Sequence, residues 1–421
     1  MSASTDVRAR LAWEHIHREM LPSLLVLRAL EERGVPWAMQ HVRKLDKYAG
    51  REVLLMPFYY DLSDVDRYLF RSGVGGKVIV NMLYEQMHFA CARNYLLPDG
   101  PLAREHLIHC AWGPRFVELL IGHGVPAEHI RITGHPRFDV YARPELLLTR
   151  ETMATTYGLD ASKPWILVPY NFNLAYIKDD LRETLISRGY ALTQPFIDGV
   201  RDARDSFTAM VRTLAAAVPD AELILRVHPA GYEAASLYAG DAARFSNLHV
   251  IAEYDIANWI QQSALTIVWN STSAMECLVA GKPVIGYEPV PFGERYDYDV
   301  NRILPTFRTV DEVVEVARQA PDVALDYNWP LFERWYAHRD GRNAQRLADV
   351  VVELADDYDA HAIPRSTTPP FSGRVRAFME RTPGLERIVR SKRDIPRQPD
   401  PKALRDAVKL GEVGPVLDYL R

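Results

Sequence analysis

The sequence predicts an α/β chain made of two successive parallel sheets, each sandwiched by helices, and then a short basic extension. Three observations carry that prediction. Short apolar runs of strand length alternate with helical stretches along most of the chain. The alternation occurs twice, in two series of comparable size on either side of a polar stretch, 143–163, that lacks a strong apolar period. The length, 421 residues, exceeds one ordinary domain and suits two domains plus an extension. The expected division is a first Rossmann-like domain over 1–145, a second over 146–360 and a Pro-rich, basic, helical extension over 361–421.

In the first series, residues 7–33 read as one amphipathic helix, with Leu11, Ile16, Leu21, Leu24, Leu25, Leu27 and Leu30 at helical spacing. Strands are expected around 35–39 and 52–58, then at 77–83, 107–113 and 130–133, with a helix over 114–123. The second series opens with a strand at 164–169 and a long helix at 196–217. Strands at 222–229 and 248–251, a helix at 256–262 and a strand at 265–269 follow. A short helix at 274–279 is stopped by Gly281, and Pro283 opens the strand 283–287. Helices over 309–319 and 343–357 complete the body.

Bulk properties exclude several classes. A net charge of −5 gives no sign of general nucleic-acid binding. Cys91, Cys110 and Cys277 lie in apolar surroundings without metal or redox spacing, so reduced core thiols are expected. The N-terminus lacks a basic region followed by an apolar stretch, and no apolar run approaches the roughly 20 residues that span a bilayer. The reading is a cytoplasmic protein. From residue 363 prolines become frequent, and Arg374, Arg376, Arg381, Arg387, Arg390, Lys392 and Arg393 are interleaved with apolar side chains. Such a pattern fits peripheral contact of 363–421 with an anionic membrane surface, and equally a solvated extension packed back on the body.

Candidate chemistry falls at strand ends, because open α/β sheets bind ligands beyond the carboxyl ends of their strands. Asn270, Ser271, Thr272 and Ser273 occupy a strand-to-helix turn with Glu276 a turn further on. There, helix amides favour an anion and Ser or Thr can cap. Arg226, His228 and Pro229 form a second group, in which a cation and an imidazole can meet a phosphate or a sugar hydroxyl. Asn171 and Asn173 supply amides able to read a base edge or hydroxyls, although an Asx-rich turn explains them equally well. Glu85, within Tyr84-Glu85-Gln86, is a strand-tip carboxyl able to act as acid or base, or to serve a helix dipole. In Gly134-His135-Pro136-Arg137-Phe138-Asp139, Arg137 can reach an anion and Asp139 is a second carboxylate, unless the two form a structural pair. No metal-ligand spacing or Gly-Lys-Ser/Thr phosphate loop occurs, so no metal or cofactor is expected.

With these residues in view, the chain resembles bacterial capsule and lipopolysaccharide biosynthesis proteins of the glycosyltransferase-B (GT-B) architecture. The likeness rests on 132–139, 166–175 and 270–284, with Asp340-Gly341-Arg342-Asn343-Ala344 similar as well. The resemblance implies two Rossmann-like domains facing across a cleft. It is nearest to Kdo transferases, which use a CMP-activated sugar. By that likeness His228-Pro229 and Ser271 to Ser273 would hold the nucleotide without a metal, and Glu85 and Asp139 would be the carboxylates of the chemistry. The implied partners are a nucleotide sugar and a glycan or lipid-linked acceptor. Alternatives are a polyol-phosphate transferase using a CDP-linked donor, a UDP-sugar 2-epimerase-like enzyme, and an inactive assembly subunit.

Overall fold

The computed structural model describes residues 7–367 except 15, 43–44, 46–47, 60–68, 70–72, 91–95, 187–190, 228–232, 254 and 297. The chain divides into two compact units. The first comprises Met1–Gln86, Leu96–Val140 and Glu333–Arg421, and the second Met87–Tyr95 and Tyr141–Phe332.

The first unit holds a six-stranded parallel sheet of β1 (Val7–Trp13), β2 (Trp37–His41), β3 (Arg51–Met56), β4 (Val78–Asn81), β5 (Ile108–Ala111) and β6 (Ile130–Ile132). Their spatial order is β2-β1-β3-β4-β5-β6. The expected single helix over 7–33 is corrected here. Its first seven residues form the strand β1, paired with both β2 and β3 through Ala9↔Trp37 and Ala9↔Val53, and the helix is Ile16–Glu31. Parallel strands are covered on both faces, so they lack a clean polar alternation. Here the apparent polar face is itself buried: Arg10 is 1% exposed because its guanidinium meets Glu52.

The second unit holds another six-stranded parallel sheet of β7 (Trp165–Tyr170), β8 (Glu222–Val227), β9 (Leu248–Ile251), β10 (Leu265–Val268), β11 (Val284–Tyr287) and β12 (Thr306–Phe307). Its order is β12-β11-β10-β7-β8-β9. The long helix Gln194–Ala217 lays Phe207, Met210, Val211 and Leu214 on the core with Leu223, Leu225 and Ile267. Thr193 caps its start, accepting from the Phe196 amide. Helix Val310–Arg318 carries a full capping box between Thr309 and Glu312. A helix absent from the sequence reading, Glu233–Arg244, docks through Tyr238, whose hydroxyl donates to Thr208 Oγ1 at 3.0 Å.

One boundary differs from expectation. The break expected after 145 lies near Val140, but the chain returns to the first unit at Glu333 rather than staying in the second until 360. Helix Asn343–Asp356 packs on helix Ile16–Glu31, and Arg33 and Arg131 reach its Asp349 and Glu353. Ile363 joins the core of Leu54, Met56 and Ile79, and its backbone hydrogen-bonds with Gly76 and Lys77. Residues 368–421, which carry the basic stretch read as a membrane contact, lie outside the described residues. No described helix is long and apolar enough to cross a membrane.

Candidate functional site

The second unit has its topological switch point between β7 and β10. From β7 the chain winds outward to β8 and β9, then returns to place β10, β11 and β12 on the other side. A crevice opens at such a reversal, outside the carboxyl ends of the two strands. Asn171 follows β7 directly and Asn270 lies two residues beyond β10. The two are joined, the Asn171 amide donating to the Asn270 carbonyl at 3.0 Å.

Asn270 adopts a left-handed backbone, φ 44°, a conformation that Asn tolerates better than most side chains. It is only 6% exposed. Its Oδ1 accepts from Asn301 Nδ2 at 2.6 Å, and the same Asn301 amide donates to Glu288 Oε1 at 3.2 Å. Its own Nδ2 is buried without a partner among the described residues, as is the indole Nε1 of Trp269. Trp269 stacks on Phe172 at 4.3 Å within the buried core, which holds the two strand-end turns together.

The other expected donor residues are placed as follows. Ser271 Oγ accepts from the Ser273 amide at 3.3 Å and lies 2.8 Å from Ser273 Oγ. Thr272 is exposed and makes no capping hydrogen bond to the helix Ser273–Val279. Glu276 is buried and accepts from the Tyr141 hydroxyl at 2.7 Å. Asn173 opens the short 3-10 turn Asn173–Tyr176. Arg226 is buried, and its guanidinium donates to the Val227 carbonyl. His228 and Pro229 lie outside the described residues.

Sequence reasoning missed Glu288 and Asn301. Glu288 stands immediately after β11, so its strand-end position was a usable signal. Asn301 sits within the short helix Asp299–Ile303, where nothing in the sequence marks it. Cys110 and Cys277 are buried free thiols, each pushed up to about 12 by burial, while Cys91 lies outside the described residues.

In the first unit, Glu85 follows β4 and is exposed, paired with Arg18 at 2.8 Å. Arg18 also holds the buried Glu19 at 2.8 Å, and Arg137 donates to the Arg18 carbonyl at 2.7 Å. Gln86 points inward instead, bridging the Leu83 and Cys110 carbonyls and the Trp112 amide. His135 is stacked between Tyr84 and Trp112, at 4.8 Å from each. Burial, then the positive charges of Arg137 and Arg18, hold its imidazole neutral, well below its ordinary range.

Arg137 and Asp139 do not form the structural pair considered from sequence as the alternative to an active-site role. Asp139 Oδ1 accepts from the Asn343 amide at 3.0 Å and Asn343 Nδ2 at 2.8 Å, and Oδ2 accepts from the Ala344 amide at 2.7 Å. The carboxyl is 2% exposed. Burial pushes it up to about 6 against these three donors. Asp139 therefore anchors the start of helix Asn343–Asp356 and joins two of the sequence segments that carried the resemblance. Replacing Asp139 with Asn places an N–H₂ against backbone amides. Chemical denaturation should show the first unit weakened by about 1–2 kcal/mol. Unchanged stability would remove the anchoring role.

No family model matches the sequence, and no curated protein matches it. Solved structures do. The wall teichoic acid polymerase TagF matches with a TM-score of 0.56 at 11% identity, over 85% of this chain and 91% of that one. A TagF variant soaked with CDPG matches with a TM-score of 0.51 at 12% identity, over 86% and 91%. A putative UDP-N-acetylglucosamine 2-epimerase from Listeria monocytogenes gives a TM-score of 0.49 at 13% identity, over 86% and 99%. At such identities likeness speaks for fold alone. With two parallel six-stranded Rossmann-like sheets and TagF among its structural neighbours, this chain has the glycosyltransferase-B type of fold.

Proposed function

We propose that this chain is a transferase of surface-polymer assembly that holds a cytidine-nucleotide donor in its second unit, without a metal. One observation carries the reading. At the β7/β10 switch point a buried amide donor, Asn270 Nδ2, has no partner among the described residues, in the same turn as Ser271 and Ser273, whose hydroxyls lie 2.8 Å apart. A buried donor left unmade is costly, which supports an acceptor there of the kind that a nucleotide's phosphate or ribose supplies. Glycosyl transfer from a CMP-activated acid sugar, such as Kdo, is the leading reaction. Glu85 is exposed and oriented by Arg18, which suits a general base toward an acceptor hydroxyl. Asp139, withdrawn into a helix anchor, has no role in the chemistry on this reading. The acceptor is a glycan or a lipid-linked saccharide.

Calorimetry with CMP, CDP and UDP tests the donor site. Cytidine nucleotides are expected to bind, and binding of UDP alone would overturn the reading. Glu85→Gln should reduce acceptor-dependent release of CMP by about 10²–10⁴-fold while leaving nucleotide affinity unchanged. Full turnover in that variant removes Glu85 from the chemistry. A second reading, transfer of a polyol phosphate from a CDP-linked donor, is favoured by the likeness to TagF in a structure soaked with CDPG. Both reactions release CMP, so the donor that turns over decides between them.

A further inference from the structure

We infer that Glu288 and Asn301 are positioning residues that aim the Asn270 side-chain amide at an oxygen of the donor nucleotide. The inference rests on the donor site proposed above and names two residues outside the strand-end motif. Its logic is one of hydrogen-bond direction. An amide side chain can turn over, exchanging its donor and acceptor ends, and only its partners decide which way it faces. A carboxylate accepts and does not donate, so Glu288 Oε1 at 3.2 Å requires the N–H₂ end of Asn301. That same N–H₂ then requires the carbonyl end of Asn270, and Oδ1 is found 2.6 Å away.

With its carbonyl committed, Asn270 turns its own N–H₂ the other way, where it is buried with no partner among the described residues. The backbone on both sides is held. The Asn171 amide fastens the Asn270 carbonyl at 3.0 Å, and Thr306 Oγ1 donates to the Asn301 carbonyl at 3.1 Å. Glu288 follows β11, the neighbour of β10, so the relay runs along the carboxyl edge of the sheet toward the switch point. Its purpose is economical: the direction of one neutral donor is set by a charge placed two residues away in the relay. The oxygen received is a phosphate oxygen or a ribose hydroxyl.

The test uses the full chain and calorimetry with CDP, CMP and cytidine. Asn301→Asp removes the donor that faces Asn270 Oδ1 and offers an acceptor instead. The Asn270 amide then turns its N–H₂ toward residue 301 and away from the ligand. CDP affinity is expected to fall about tenfold or more, read well below the variant's melting temperature because the new carboxylate also faces Glu288. Glu288→Ala removes the fixed acceptor, leaves the Asn301 amide free to turn over, and should weaken CDP binding by about threefold or more. Asn270→Ala should cost as much as Asn301→Asp, and the double variant no more than either alone, since both remove one interaction. A loss seen with CDP and CMP but not with cytidine assigns the oxygen to phosphate. A loss with all three assigns it to ribose. Additive losses, or an Asn301→Asp variant with normal affinity, overturn the relay while leaving the donor site standing. Failure of the unaltered chain to bind any of the three overturns the donor site, and the relay with it.

Discussion

Replacing Glu52 with alanine is expected to destabilise the first unit by about 3–5 kcal/mol, because it leaves buried cations without their counter-charge. Glu52 is fully buried at the start of β3. Its Oε2 meets Arg10 Nη2 at 2.6 Å and Lys77 Nζ at 2.8 Å, and Oε1 meets Arg8 Nη2 at 2.9 Å. Arg10 and Lys77 are buried in turn, at 1% and 3% exposure. The backbone of Glu52 is fastened too, exchanging hydrogen bonds with the Tyr358 hydroxyl at 2.9 and 3.1 Å. Burial drives the Glu52 carboxyl up, but Lys77, Arg10 and Arg8 together outweigh it and the net shift is downward. A depressed carboxyl contributes stability above its ordinary value near 4.5, and that contribution is lost as pH falls through the lower folded-state value. Denaturant unfolding of the first unit, followed against pH, is the measurement. Glu52→Leu separates charge from volume: a loss as large as that of the alanine variant assigns the effect to the stranded cations.

Gly134→Ala is the second large effect, expected at about 2–5 kcal/mol. Gly134 has φ 70°, and a Cβ there would stand 2.0 Å from Asn343 Oδ1. The Asn343 side chain cannot easily retreat, since it is fully buried and its Nδ2 donates to Asp139. The penalty therefore combines a left-handed backbone with a collision. Asn343→Ala removes the collision and leaves the backbone term, so in the double variant the glycine substitution should cost only about 1–2 kcal/mol. Equal cost in both backgrounds would show that the contact with Asn343 is not the constraint.

Most of the parallel strands were legible because each is a short apolar run ended by a turn, although the two-residue β12 was not expected; β9 and the helix Ile256–Gln262 coincide with their expected bounds. β1 was not legible. Val-Arg-Ala-Arg-Leu-Ala-Trp joins smoothly in sequence to an apolar-periodic helix, and its arginines look solvent-facing until Glu52 arrives from 42 residues away. The polar turn at Asn270 was readable from local signals, a strand, turn residues and a short helix. Asn301 was not, and Glu288 only by its strand-end position, because the hydrogen bonds that join them to Asn270 have a direction that only packed side chains define. Asp139 shows the same limit from the other side. A carboxylate at a strand end reads alike whether it faces a substrate or a helix start, and the helix it serves begins more than two hundred residues later.

By itself the sequence determined the fold class, the two-sheet plan and the polar turns at the strand ends, since hydrophobic periodicity and turn chemistry are local properties. The tertiary structure alone decided which polar groups are spent and which remain available. Burial and partners turn Asp139 and Gln86 into structure, keep Glu85 exposed and leave one donor of Asn270 unmatched among the described residues. Those outcomes depend on contacts between distant segments, where the cost of an unsatisfied buried group exceeds any local preference of the chain.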